Sequence, residues 1–444
     1  MLAPRSLLLS LVAAAALLAA AAPAGAAAGW SPTAGFVAAG PRSGEAAPRA
    51  AIASDGTSGV AFRTPSGGLM LATGTASGRF GAPRVIERAG VVDYSLAAAP
   101  GGALLVAWED RDGLHAAVRA RAGGRLVRRR YDGGPGSQIN GVQVAADPQG
   151  GWVLAQRVFP YGSGPNRLYG VRALSLDAAG RPLGPVQDLG PGQFGIDARP
   201  TQALAVDGTG RAVLAFRREA PPRGPAAPEP VVVATRPHGG TFGAPAELPG
   251  PPAADPRVTV DGTGRALVAF TRIASRGDAG FFGSPAVAAV RADGTLGTPL
   301  GPQLAFPRRA FGPSAAFTNR GGAALVFQLK ERSEPFGLQA PVRAVATGAD
   351  GTIGPLQTLT GGRATEPVAV ALTRGRVLVV WSGSKGLGAS LAVDGTFRTT
   401  AEPKGPPPAP FHSNPTNRDL RSAGRHAIFT WARAGRVRVA VRAF

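Results

Sequence analysis

Ala203-Leu204-Ala205-Val206-Asp207-Gly208-Thr209-Gly210-Arg211-Ala212-Val213-Leu214-Ala215-Phe216 is matched almost residue for residue by Val258-Thr259-Val260-Asp261-Gly262-Thr263-Gly264-Arg265-Ala266-Leu267-Val268-Ala269-Phe270. Each copy reads as an apolar run, an Asp-Gly turn and a second apolar run that ends on an aromatic residue. Short apolar runs joined by Asp-Gly predict a β-hairpin, because Asp and Gly accept the backbone angles of a tight turn at little steric cost. The same frame fits Ile52 to Phe62, Leu96 to Trp108, Ala315 to Phe327, Val368 to Trp381 and Leu420 to Trp431, and it fits Val142 to Gln156 with Gln in place of the aromatic. Eight units result. Their final slot falls at Phe62, Trp108, Gln156, Phe216, Phe270, Phe327, Trp381 and Trp431, at spacings of 46 to 60 residues.

Each unit runs on past its slot with two more strand signals. The third is apolar and often ends near an arginine, as in Val231-Val232-Val233-Ala234-Thr235-Arg236; the fourth carries Phe-Gly-Ala-Pro at Phe80 to Pro83 and Phe242 to Pro245. Four strands in roughly fifty residues is the size of one propeller blade. The sequence therefore predicts an all-β fold, an eight-bladed β-propeller of four-stranded antiparallel blades, with seven blades as the alternative. The last unit ends on its third strand, Arg436 to Arg442, whereas Trp30 to Ala39 precedes the first unit and resembles a fourth strand. Pairing that segment into the last blade would close the ring and cover a sheet edge.

The first 28 residues read as a secretory signal: Arg5, an apolar stretch from Leu7 to Ala22, and Ala24-Gly25-Ala26 as a cleavage site. Residues 29–444 are expected to form one exported domain, monomeric and without an integral membrane segment. The chain has no cysteine, so no disulfide and no thiolate chemistry is available to it. Its 48 Lys and Arg against 27 Asp and Glu give a formal charge of +21, and nearly all the basic residues are Arg. Such a balance favours anionic partners. The arginines read as dispersed along the chain rather than gathered in one run, so specific nucleic-acid binding is not expected.

Antiparallel blades send first-to-second and third-to-fourth turns to one side of the disc and the remaining connections to the other. The second side carries the longer segments, Phe159 to Arg167, Arg218 to Pro230, Ile273 to Gly283 and Lys330 to Leu338, and varied loops on a repeating scaffold are where binding resides. It also receives residues that leave the second strands and enter the first. The candidate ligand-binding set is Arg63, Glu109, Asp110, Arg157, Tyr161, Arg199, Arg217, Arg257, Arg272, Lys330 and Glu366, with Phe281, Phe282 and Phe336 as loop aromatics. The slot aromatics are expected to be interblade core, and the Asp-Gly aspartates turn residues.

His115, His238, His412 and His426 do not pair at ligand spacing, and no phosphate loop, calcium loop or Gly-x-Ser-x-Gly is present. No metal and no cofactor are expected. The Asp-Gly-x-Gly turn resembles the Asp-box of sialidase-like propellers, but Ser54-Asp55-Gly56 and Val206-Asp207-Gly208-Thr209-Gly210 lack the Ser-x-Asp-x-Gly-x-x-Trp spacing. No residue context matches the arginine triad or the tyrosine-glutamate pair of those enzymes, so the resemblance transfers no catalytic residue. The expected function is an extracytoplasmic, non-catalytic binding or scaffold propeller for an anionic glycan, a cell-surface polymer or a protein. The alternative is a hydrolase or lyase acting on an acidic polysaccharide.

Overall fold

A computed structural model of the chain describes residues 30–31, 34–37, 48–131, 138–161, 168–192, 202–218, 230–277, 280–304, 309–318, 321–330, 340–364, 367–383, 386–393, 395–399, 418–433 and 436–444. The expected export signal lies outside them. Blade 1 comprises Arg49–Ile52, Ser58–Arg63, Leu69–Gly74 and Arg84–Glu87, and blade 2 comprises Tyr94–Ala99, Ala103–Asp110, Gly113–Arg119 and Val127–Tyr131. Blade 3 follows as Gln138–Ala146, Trp152–Tyr161, Leu168–Leu176 and Gln187–Gly192, and blade 4 as Gln202–Val206, Ala212–Arg217, Val231–Arg236 and Ala246–Glu247. Blade 5 has Ala253–Val260, Ala266–Gly277 and Gly280–Val290, its fourth position held by bridges from Val287 to Leu300 and Val290 to Leu296. Blade 6 is Arg309–Phe317, Ala323–Lys330, Ala340–Thr347 and Gln357–Ala364; blade 7 is Val368–Ala371, Val377–Gly383, Gly386–Val393 and Thr396–Thr399.

Blade 8 combines Arg418–Ala423, His426–Arg433 and Arg436–Ala443 with Ala34–Val37 from the other end of the chain. Ala34 lies opposite Val439 and Val37 opposite Arg436. The Ser31 N–H donates to the Val441 carbonyl at 2.7 Å, and the Val441 N–H to the Ser31 hydroxyl at 3.0 Å. The count is eight, and the early strand closes the ring.

Side chains alternate across a strand, so each blade buries one set of residues against the blade before it and another against the blade after it. Eight apolar clusters result, one per interface. The slot residue faces the preceding blade: Phe216 packs with Leu214, Val171 and Ala173, Phe270 with Val213 and Val231, and Phe62 with Ile428 and Val439 across the closure. Seven interfaces hold an aromatic at this level. The eighth, between blades 2 and 3, has Gln156.

The first strand of each blade leaves an edge whose backbone groups need partners. Side chains of neighbouring first strands supply them. Asp93 and Ser95 of blade 2 accept the N–H groups of Val142 and Val144 at 3.1 and 3.2 Å, Gln143 accepts that of Leu204 at 2.7 Å, and Asp419 accepts that of Ala50 at 2.9 Å. Ser314 accepts the Ala369 N–H at 3.1 Å, and Ser422 donates to the Ala371 carbonyl at 2.6 Å.

On the opposite side of the disc the turns do the joining. The Asp207 carboxylate accepts the N–H groups of Thr209 and Arg211 at 2.9 and 3.1 Å and the Arg211 Nε–H at 2.9 Å. The Arg211 guanidinium continues to the carbonyls of Gly264, at 2.8 Å, and Arg291 in blade 5. In these turns the positive φ falls on the second glycine, 84° at Gly210. Gly208 is required for a different reason: a Cβ there would sit 2.2 Å from the Gly262 carbonyl of the next blade. Arg236 reaches back to Asp147, at 3.1 Å, and to Ser175 of blade 3. The aspartates thus act as turn residues, as their sequence context suggested.

Strands run into two expected loops. Trp152–Tyr161 and Leu168–Leu176 pair out to Tyr161 opposite Leu168, and the hairpin of blade 5 stays paired from Ile273 opposite Gly283 to Gly277 opposite Gly280. Extending the ladder satisfies backbone groups that a loose connection would leave to water. Tyr161, Phe281 and Phe282 therefore stand on strand extensions.

Candidate functional site

The side of the disc where first strands begin and second strands end collects the sequence candidates. Arg49 opens blade 1, Asp93 and Tyr94 open blade 2, Gly141 lies at the start of the blade 3 inner strand, and Asp419 opens blade 8. The Arg49 Nη2 stands 3.9 Å from Asp93 Oδ1, and its Nε–H donates to the Tyr94 carbonyl at 3.4 Å. Burial works against its charge, yet the neighbouring carboxylates of Asp93 and Asp419 more than offset that and hold Arg49 firmly protonated. Both carboxylates also carry the backbone N–H groups described above, so an acid-cation-acid chain spans blades 8, 1 and 2.

Glu109 follows the slot residue Trp108 and leaves no surface exposed. Alternation puts it with Leu105 and Ala107, facing blade 3, while Gln156 shares its face with Trp152, Leu154 and Val158, facing blade 2. Neither carboxyl oxygen of Glu109 completes a hydrogen bond among the described residues, and neither does the side-chain oxygen of Gln156. Desolvation, reinforced by the Asp93 charge, pushes the Glu109 carboxyl well above the usual range; the Gly141 amide and the Arg157 guanidinium pull the other way without restoring it. Burial thus favours the protonated form of Glu109.

A bulge between Ile139 and Val142 places Gly141 at φ 103°. A Cβ at Gly141 would stand 2.7 Å from the Arg157 Nε. Glycine lets that guanidinium lie flat on the inner strand. Bulges recur at the same level in blades 5 and 6, with Asp255 at φ 54° and Gly312 at φ 52°. Bulges of this kind re-aim side chains next to binding sites, and a non-glycine residue at positive φ is strained backbone. Asp255 is also buried.

Arg63, Arg157, Arg217, Arg257, Arg272 and Lys330 are all half-buried on this side. Arg272 donates to the Gly301 carbonyl at 3.3 Å. Asp110 does not join Glu109. It points the other way, accepts the Asp112 N–H at 2.8 Å and lies 3.0 Å from His115 Nε2, whose ring stacks on Trp108. Arg199 and Glu366 lie outside the described residues, as do the side chain of Tyr161 and all of Phe336. The sequence reading missed Arg49, Asp93 as a partner of Arg49, Asp419 and Gly141. One signal was available: Gln156 breaks the aromatic slot.

The sequence matches no protein-family profile and no curated protein. Similarity is to solved structures only. A puromycin hydrolase aligns at 17% identity over 91% of this chain and 62% of that one, with a TM-score of 0.49. A PL25 ulvan lyase bound to a glucuronate-rhamnose-3-sulfate unit aligns at 11% identity over 84% of this chain and 100% of that one, TM-score 0.47. An α-L-arabinanase from Penicillium chrysogenum aligns at 13% identity over 68% and 92%, TM-score 0.38. The propeller assignment rests on the eight sheets themselves. Among the described residues no helix is long and apolar enough to cross a membrane, and no cluster of three His, Asp or Glu side chains is set to hold a metal.

Proposed function

We propose that this protein is an exported, non-catalytic binding propeller that holds an acidic glycan on the side where its first strands begin. One observation carries the reading: among the described residues of that side Arg and Lys outnumber the acids, and three of those acids hold backbone N–H groups. Asp93 and Asp419 hold backbone N–H groups of adjacent blades, Asp110 is tied to its own hairpin, and burial pushes the Glu109 carboxyl towards its protonated form. Against them stand Arg49, Arg63, Arg157, Arg217, Arg257, Arg272 and Lys330. Guanidinium groups suit this task because their planar donor fork matches a carboxylate or sulfate. The sequence of residues 1–28, with its apolar stretch and small-residue cleavage site, supports export.

The second reading is a glycoside hydrolase or lyase, favoured by the raised Glu109 carboxyl, since a general acid must be protonated at working pH. Its burial opposes this role, because a polymer has to reach the proton. Calorimetry with a uronate tetrasaccharide, beside a turnover assay on the same sugar, separates the two. Expected is binding without turnover, weakened at least about fivefold in the Arg63→Gln, Arg217→Gln double variant; removing one charge-assisted hydrogen bond costs on the order of 1 kcal/mol or more. Turnover that disappears in Glu109→Gln would replace the scaffold reading with the enzymatic one.

A further inference from the structure

The arginines, expected to be dispersed along the chain, gather in one place. Residues 119–130 hold Arg119, Arg121, Arg125, Arg128, Arg129 and Arg130 with no acid among them, and they form the third-to-fourth hairpin and outer strand of blade 2. In blades 3, 5 and 6 this turn carries an aspartate that caps its own backbone, as Asp177, Asp293 and Asp350 do at 2.7 to 3.0 Å. Blade 2 replaces that acid with Arg121-Ala122-Gly123-Gly124-Arg125.

Carbonyls rather than carboxylates hold most of this charge. Arg119 donates to the Gly102 carbonyl at 3.0 Å, Arg129 to the Ala179 carbonyl at 3.3 Å, Arg130 to the Asp112 carbonyl at 2.8 Å, and Arg128 to the Ile86 carbonyl. Carbonyls orient a guanidinium without cancelling its charge. Among the described residues one carboxylate pairs directly with these arginines, Glu87, 3.4 Å from Arg128, while Asp112 and Asp177 belong to the turns that Arg130 and Arg129 reach. Arg121 and Arg125 are exposed, and the outer strand of blade 1 adds exposed Arg84 and Arg88. Burial, and to a lesser degree repulsion from Arg84, makes charging Arg119 harder than usual.

We propose that this blade 2 hairpin is a second binding surface, for a linear, densely anionic polysaccharide. The chemistry of the patch selects that class. Tyr131, the aromatic residue of the outer strand, is buried with its hydroxyl donating to the Gly180 carbonyl at 2.8 Å, so it offers no face on which nucleic-acid bases could stack. Arg128 and Arg130 leave one side of the outer strand and Arg129 the other. That arrangement embraces a thin chain and does not present one plane to a lipid surface. The hairpin lies apart from the first-strand side, and the proposal does not depend on what that side binds.

The test uses the full chain on immobilised heparin and in fluorescence titrations against heparin, duplex DNA and phosphatidylserine vesicles. Arg121→Gln, Arg125→Gln, Arg130→Gln is expected to lower heparin affinity at least tenfold and to flatten the dependence of log K on log salt by about one unit for each arginine replaced, roughly three in all. A control triple at exposed arginines elsewhere, Arg291→Gln, Arg398→Gln, Arg436→Gln, is expected to change affinity less than about threefold, as removal of net charge alone would. Equal losses in the two triples would overturn the proposal. So would wild-type heparin binding in the hairpin triple, or DNA or vesicles binding more tightly than heparin. Tetrasaccharide binding on the first-strand side should persist in the hairpin triple; its absence from the wild type would count against that reading and leave this one standing.

Discussion

Glu109 shows what a single residue costs when its surroundings withhold a partner. Burial, aided by Asp93, raises the value at which its carboxyl ionises in the fold, whereas it ionises in the ordinary range once the chain unfolds. The folded state therefore holds more protons than the unfolded one across the window between the ordinary glutamate value and the raised one. Stability is highest below that window and declines as pH rises through it. Glu109→Gln removes the titration while keeping the shape. Its melting temperature should match that of the wild type most closely near about pH 4 and exceed it increasingly towards about pH 8, with each unit of raised pKa worth about 1.4 kcal/mol. A difference that stays constant with pH would mean the carboxyl is ionised in the fold. The sequence offered Glu109 as a rim residue because it follows the end of an apolar run. What it left unread was burial, which is set by the facing blade, forty-odd residues further along the chain at Gln156.

A turn can repeat in sequence and differ in energy. Asp207 to Arg211 and Asp261 to Arg265 spell the same five residues, Asp-Gly-Thr-Gly-Arg, and both aspartates hold the same N–H groups. Their next neighbours differ. Arg211 is 8% exposed and sealed by Gly264 and Arg291, whereas Arg265 is 44% exposed and lies over the Phe317 ring at 4.6 Å. Removing one partner of a buried pair strands the other charge, so Asp207→Ala is expected to cost about 3 kcal/mol. Asp261→Ala loses backbone caps and a solvent-screened pair, so about 1 kcal/mol is expected. Urea unfolding of the two variants checks this, and equal shifts in midpoint would show that the cap alone sets the energy. Hairpin identity was legible because Asp-Gly between apolar runs is local chemistry. Its depth was not, since that depends on which turn lies beside it in the ring, and the same limit hid the strand extensions at Tyr161 and Ile273.

Without a disulfide, the whole ring depends on the join between its ends. Blade count and closure were readable from the sequence because the slot recurs at a fixed spacing and the last unit lacks a strand that Trp30 to Ala39 could provide. The structure adds the packing that makes the join matter: Val437, Val439 and Val441 of blade 8 bury against Val60 and Phe62 of blade 1, and Trp30 meets Phe429 edge-on at 6.4 Å. Deleting residues through Val37 removes the partner of the third strand in blade 8 and exposes its edge, Arg436–Ala443. An uncovered edge pairs with other copies, so the truncated chain should melt at a lower temperature and associate as its concentration rises. A synthetic peptide spanning residues 30–39 should reverse both effects, raising stability by about 2.7 kcal/mol at a hundredfold excess over its dissociation constant. Because the peptide restores the backbone pairing of Ala34–Val37 and the contacts of Trp30 and Ser31, rescue would assign the closure to this segment. If the truncated chain melts with the full-length protein, the other seven interfaces hold the ring without it.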